Sequence, residues 1–157
     1  MQALRHQARA TVIKLICAGI LLPFDAAAAP VVGISDGDTL TVLEDRRSVK
    51  IRLANIDAPE KAQPFGQRSK ESLSELCYGK NASYQVQDID RYGRTVAIVT
   101  CAGVQANRAQ VERGLAWVYP KYNRDESLPP LQEDARTSRR GLFADPDPVA
   151  PWEWRKK

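Results

Sequence analysis

The stretch Thr39-Leu40-Thr41-Val42-Leu43-Glu44-Asp45-Arg46-Arg47-Ser48-Val49-Lys50-Ile51-Arg52-Leu53-Ala54 reads as two β-strands and the turn between them. Thr39 to Leu43 is β-branched and alternating. Val49, Ile51 and Leu53 alternate with Lys50, Arg52 and Ala54, the period of a half-buried strand. Glu44 to Arg47 supplies the polar turn. With Val49, Ile51 and Leu53 facing the core, Arg52 points away from it, and unbroken alternation would send Asp57 inward. A buried, unpaired carboxylate is costly, so the strand is expected to break or bulge between Ala54 and Asp57, bringing both groups to one surface.

Working outward, Val31 to Ile34 is expected to form the first strand, and Tyr84 to Asp88 and Thr95 to Cys101 a second hairpin around Tyr92-Gly93. Phe65, Ser69, Leu73, Leu76 and Cys77 fall at helical spacing after Pro64, with Gly79 to end the helix. Val104, Val111 and Leu115 mark another helix, closing at Gly114 or shortly after. A last one opens at Ser127, carries Pro129 and Pro130 in its first turn, packs Leu128, Leu131 and Ala135 inward and stops at Gly141. Arg139 and Arg140 there complement the helix dipole. Beyond it, Pro146, Pro148 and Pro151 predict an extended tail whose Trp152 and Trp154 pack on their own domain. The expected fold is therefore mainly β with α, of the α+β class: a five-stranded Greek-key barrel capped by about three helices, for which the OB-fold fits the strand count.

Arg5, Arg9 and Lys14 precede an apolar run, Leu15 to Phe24, and then Ala26-Ala27-Ala28-Ala29, the pattern of a cleavable signal peptide. The run is too short to span a bilayer. The expected organisation is a signal peptide over 1–28, one domain over 29–143 and a basic Pro/Trp-rich tail over 144–157. Such a chain is exported, periplasmic or extracellular, and free of the membrane once mature. Cleavage removes Cys17 and leaves Cys77 and Cys101, an even count for which a disulfide is expected in an oxidising compartment. The full chain carries +4. Loss of Arg5, Arg9, Lys14 and Asp25 leaves +2, a modest pointer to a polyanionic partner.

Three runs carry the chemistry: Ser35-Asp36-Gly37-Asp38-Thr39, Arg52-Leu53-Ala54-Asn55-Ile56-Asp57-Ala58-Pro59-Glu60, and Asp90-Arg91-Tyr92-Gly93-Arg94. The only histidine, His6, lies in the leader, so the mature chain has no Ser-His-Asp triad, His acid/base pair or His-ligated zinc site. What remains is carboxylate and guanidinium chemistry. Asp38 and Asp57 are the natural oxygen ligands for a hard ion such as Ca²⁺, with Asp36 in the outer shell, and two arginines suit a phosphate. This is the equipment of a phosphodiesterase.

These residues resemble the staphylococcal nuclease (thermonuclease) family. The resemblance covers roughly Val31 to Phe143 and rests on Asp-Gly-Asp-Thr, Arg-Leu-x-x-Ile-Asp-x-Pro-Glu and Asp-x-Tyr-Gly-Arg in that order. It implies an OB-fold barrel with three helices and calcium-dependent hydrolysis of DNA and RNA phosphodiesters. Position by position, Asp38 and Asp57 resemble the calcium ligands, and Ala58, where the family often has Thr, the residue whose backbone carbonyl also binds the ion. Glu60 resembles the residue that orients or deprotonates the attacking water. Arg52 and Arg94 resemble the guanidiniums that neutralise the transition state. Arg91, Tyr92, Tyr119 and Tyr122 resemble the substrate-binding flank, where aromatic faces stack bases. The segment Lys61 to Gly66 is shorter and less lysine-rich than its counterpart in the best-known members.

The principal expectation is an exported, calcium-dependent, monomeric endonuclease of low sequence specificity acting on DNA and RNA, single-stranded or locally opened. The alternative is a non-catalytic OB-fold module that binds nucleic acid or protein. A module of that kind is expected to have lost at least one of Asp38, Arg52, Asp57, Glu60 and Arg94, and all five are present.

Overall fold

The first hairpin turns on two left-handed residues, Asp45 at φ 45° and Arg46 at φ 64°, the turn geometry whose twist matches that of paired strands. A computed structural model describes residues 28–156, so the signal-peptide expectation lies almost wholly outside the described residues. Along the chain, β1 (Ala29–Ile34), β2 (Thr39–Glu44) and β3 (Arg47–Leu53) form a meander, and a two-residue β4 (Ile56–Asp57) follows directly. Then come α1 (Gly66–Cys77), β5 (Asn81–Ile89), β6 (Thr95–Cys101), β7 (Val104–Gln105), α2 (Ala106–Glu112), β8 (Trp117–Val118), α3 (Leu128–Thr137) and α4 (Pro151–Trp154).

Sheet order is β3-β2-β1-β5-β6-β7. β3 also pairs with β6 in parallel, Arg52 opposite Val96 and Leu53 opposite Ala97, and this pairing closes the five long strands into a barrel. That is the OB-fold arrangement, with helices inserted and appended. Val31, Leu40, Val42, Ile51, Leu53 and Val99 fill the interior, and Leu73 of α1 and Val111 of α2 plug it. A second apolar cluster joins Trp117, Ala135, Leu142, Phe143 and Ala150, with Trp117 edge-on to Phe143 at 5.0 Å between centroids. Cys77, ending α1, is bonded to Cys101, ending β6, with Cα atoms 5.2 Å apart.

Three local expectations are corrected. Val104 belongs to no helix: Ala102 and Gly103, both at positive φ, turn the chain back so that Val104 pairs with Cys101, and α2 starts only at Ala106. The third helix ends at Thr137 rather than Gly141, because Arg139 adopts the left-handed conformation at φ 51°. Gly141 answers a different need. A Cβ there would lie 2.1 Å from the Gly114 carbonyl oxygen, which instead accepts the Leu142 N–H at 2.8 Å. The proline-rich segment also does not stay extended, since Pro151 occupies the first turn of α4. Trp152 packs back on the domain as expected, edge-on to Trp117.

Candidate active site

The break anticipated after β3 is present and is what assembles the site. Asn55 takes φ 69°, its carbonyl accepts the Tyr119 N–H at 2.9 Å and its side chain accepts the Arg124 N–H at 3.0 Å. Asn107 of α2 braces the same turn: its amide donates to the carbonyls of Ala54 at 3.0 Å and Ala97 at 3.1 Å and accepts the Val99 N–H at 2.9 Å. With the strand interrupted, Arg52 and Asp57 reach the same side. Arg52 Nη2 donates to Asp57 Oδ1 at 2.8 Å and Asp38 Oδ2 at 3.3 Å, while Nη1 donates to the Ile56 carbonyl at 3.0 Å.

Asp38 sits at the entry to β2, in a loop clamped by α1 and α2. Gln110 Nε2 of α2 donates to the Gly37 carbonyl at 2.7 Å, and a Cβ at Gly37 would fall 1.8 Å from Ser69 Oγ of α1, so only glycine fits. The Asp38 carboxylate accepts the Thr39 hydroxyl at 2.9 Å and the Ala58 N–H at 2.8 Å, which ties the Asp38 loop to the segment after β4. Asp38 and Asp57 are both buried, at 6% and 2% exposure. Burial pushes Asp57 upward, opposed chiefly by its bond to Arg155. Asp36 is pushed up to about 6 by burial and by the Asp38 charge. Burial alone would lower Arg52, but Asp38, then Asp57 and Asp36, reverse the direction and hold its proton more firmly.

Glu60 lies in the turn leading into α1. Gln63 fastens that turn: its N–H donates to the Glu60 carbonyl at 2.8 Å, its Oε1 accepts the Glu60 N–H at 3.1 Å, and its Nε2 donates to the Val149 carbonyl at 2.6 Å. A Cβ at Gly66 would lie 2.0 Å from the Glu60 carbonyl oxygen, so the start of α1 is pressed against the turn.

Arg155 completes this group, and no motif in the sequence pointed to it. Its Nη2 donates to Asp57 Oδ2 at 2.7 Å and its Nη1 to Glu60 Oε1 at 2.7 Å. The bond to Asp57, above all, makes the Arg155 guanidinium hold its proton more firmly. Gln63 is equally silent in the sequence, since a buried glutamine in a turn carries no spacing signal. The available hint for Arg155 was its position three residues after Trp152, on one face of a helical turn opened by a proline.

The remaining expected residues fall in two other places. Arg94, just before β6, is held by Asp90, its Nε donating at 2.7 Å to Oδ2. In the same loop Arg91 lies 4.8 Å from the centre of the exposed Tyr92 ring. Tyr119 and Tyr122 follow β8, edge-on at 4.9 Å, and Tyr119 is stacked on Trp152. The structure thus gathers Asp38, Arg52, Asp57, Ala58 and Glu60, and gives Arg94 a bond to Asp90 in the loop after β5.

Among the described residues no cluster of three or more His, Cys, Asp or Glu is arranged to hold a metal ion. The donors are two buried carboxylates drawn together around one guanidinium, with Asp36 beside them, all oxygen. That set fits a hard ion completed by carbonyl oxygen and water, and it does not fit a thiol- or imidazole-bound metal.

The profile of the staphylococcal nuclease homologue family matches residues 50–145. A protein from Escherichia coli O157:H7 described as an uncharacterized endonuclease is 46% identical over 128 residues, covering 81% of this chain and 84% of its own. One from Haemophilus influenzae, described in the same words, is 42% identical over 153 residues, covering 92% of this chain and 86% of its own. A protein named micrococcal nuclease from Shigella flexneri is 38% identical over 137 residues, covering 80% and 79%. The chain belongs to the staphylococcal nuclease family.

Proposed function

We propose that this protein is an exported, monomeric endonuclease that hydrolyses phosphodiester bonds of DNA and RNA with low sequence specificity and depends on calcium. Family membership and the nuclease names of its relatives support an endonuclease. The observation that carries the catalytic reading is Arg52 held on Asp57 and Asp38, with Glu60 joined to Asp57 through Arg155.

Asp38, Asp57 and the Ala58 carbonyl are the groups that would hold the ion. When bound, it supplies Lewis-acid polarisation of a phosphate oxygen and a lowered pKa for a coordinated water. Glu60, set in place by Gln63, orients an attacking water or takes its proton as the water oxygen attacks phosphorus. Arg52, immobilised by its bonds to backbone carbonyls, presents its guanidinium to the non-bridging oxygens, where charge grows in the transition state. Arg94 leaves Asp90 to contact the same phosphate as the P–O ester bond breaks, and the departing oxygen takes its proton from solvent water. Tyr92 with Arg91, and Tyr119 with Tyr122, flank the strand and stack on bases irrespective of sequence.

Export is supported by Leu15 to Phe24 with the alanines after it, and by a Cys77–Cys101 bridge that suits an oxidising compartment. No helix among the described residues is long and apolar enough to cross a membrane. The test is incubation of the mature protein with single-stranded DNA and with RNA in Ca²⁺ or in a chelator. Cleavage in Ca²⁺ alone is expected. Binding without cleavage in either condition would instead favour the binding-module reading.

A further inference from the structure

We infer that Arg155 occupies the cation position of the site and is exchanged for the divalent ion. This rests on the reading above that Asp57 is an ion ligand. Asp57 is 2% exposed, and both of its oxygens are taken, Oδ1 by Arg52 at 2.8 Å and Oδ2 by Arg155 at 2.7 Å. Arg52 is fixed by two backbone carbonyls as well, so its departure would leave those carbonyls without their guanidinium donor. Arg155 has no such tie to β3 or β4. Its guanidinium side chain is 41% exposed and reaches the carboxylates from α4. Of the two cations on Asp57, it is the one free to move.

The contact is built rather than incidental. Trp152, one helical turn before Arg155, stacks on Tyr119 with centroids 5.2 Å apart and planes at 2°. Val149 accepts the Gln63 amide at 2.6 Å, and Ala150 is buried in the second apolar cluster. The segment is therefore anchored on both the Glu60 turn and the aromatic flank, and it delivers a fork of two donors onto two carboxylates. A buried carboxylate stays ionised only with compensating partners, and Arg52 covers one of the two Asp57 oxygens. Arg155 covers the other while no ion is present, and a divalent ion on Asp57 Oδ2 needs the oxygen that Arg155 now holds. Exchange frees Glu60 from its guanidinium partner at the same moment, leaving its carboxylate available to water. Ion entry and release of Glu60 are one event.

The experiment is isothermal titration of the mature protein with Ca²⁺ in low-salt buffer. Wild type is compared with Arg155→Ala, Arg155→Lys, Lys156→Ala and Asp57→Asn. Removing the competing guanidinium is expected to lower the Ca²⁺ Kd at least fivefold. Arg155→Lys, which keeps the charge without the fork, is expected to fall between wild type and Arg155→Ala. Lys156→Ala removes the same charge one residue on, from a lysine paired with Glu153 at 2.9 Å, and is expected to stay within twofold of wild type. An Arg155→Ala Kd equal to or weaker than wild type overturns the exchange, as does an equal gain in Lys156→Ala, which would reduce the effect to net charge. If wild type binds Ca²⁺, Asp57→Asn does not and Arg155→Ala matches wild type, the exchange alone fails. If neither wild type nor Arg155→Ala binds, the ion-ligand reading of Asp57 falls with it.

Discussion

Trp152 lies flat on Tyr119, ring centroids 5.2 Å apart and planes within 2° of parallel. The stack joins the C-terminal helical turn to the residue whose N–H caps the Asn55 carbonyl, and so to the turn that presents Asp57. Trp152→Ala removes the stack and the edge contact with Trp117. A loss of about 2 kcal/mol is expected from lost aromatic area and stacking, read as a lower midpoint in urea. An unchanged midpoint would mean that α4 contributes nothing to the fold.

Glu60→Gln preserves the turn, because Gln63 holds Glu60 through backbone groups only. Turnover on single-stranded DNA is expected to fall by about two orders of magnitude or more while the unfolding midpoint moves little. Arg94→Lys is also expected to lose turnover, since an ammonium cannot reproduce the bidentate fork. Wild-type rates in both variants would remove these residues from the active site.

Gly66→Ala places a methyl group against the Glu60 carbonyl oxygen, which is backbone and cannot step aside cheaply. A destabilisation of about 1–3 kcal/mol is expected, together with a displaced Glu60. Gly79→Ala is a useful contrast. Nothing lies near its added Cβ, and its cost comes only from φ 71°. Similar activity in the two variants would argue that the Glu60 turn tolerates displacement.

The bridge between Cys77 and Cys101 closes a sequence separation of 24 residues that includes all of β5. On the chain-entropy view, reduction is expected to cost about 3 kcal/mol, measured by urea unfolding with and without reductant. Cys77 and Cys101 are fully buried at the junction of α1 with the barrel, so Cys→Ala variants are expected to show the loss without reductant.

Tyr84 donates its hydroxyl to Glu44 Oε1 at 2.7 Å, and burial together with Glu44 pushes the phenol up to about 12. The folded chain therefore keeps this proton at pH values where the unfolded chain has lost it. The contribution to stability is full below pH 10 or so, the ordinary tyrosine range, and disappears as pH rises towards 12. Tyr84→Phe is expected to flatten the alkaline fall in stability across that window. An ultraviolet titration of the wild type is expected to lose one late-titrating tyrosine in the variant.

The hairpin from Thr39 to Leu53 could be read because strict alternation meets a two-residue turn. The break before Asp57 could be read for a stronger reason: keeping the alternation would have buried a bare carboxylate. In the event Asp57 is buried after all, but with a guanidinium on each oxygen, so it was the pairing rather than the exposure that relieved the cost. Less could be seen where stability comes from distant partners. β4 and β8 have two residues each, too few for any period to register, and they exist because Ile56 meets Val118 and Asp57 meets Trp117 across the fold. The end of α3 is hard to read because glycine is the usual left-handed cap, whereas here Arg139 takes that conformation first and Gly141, also at positive φ, serves a backbone contact. Arg155 stands in a basic run where its spacing from Trp152 marks a helix face but not a partner, and its partners lie 95 and 98 residues away.

The parallel pairing of β3 with β6 gives β3 a neighbour on each edge, β2 on one side and β6 on the other. Arg52 is therefore carried by a strand that cannot slide or peel unless the barrel itself opens. Arg155 rides on a single turn of helix that Trp152 and Ala150 pack against the domain, and only its partly exposed guanidinium is free to swing. The molecule divides its labour between an anvil and a latch. When the guanidinium swings out and back it finds its seat unaltered, because neither the barrel nor the packed segment that defines the seat is asked to change.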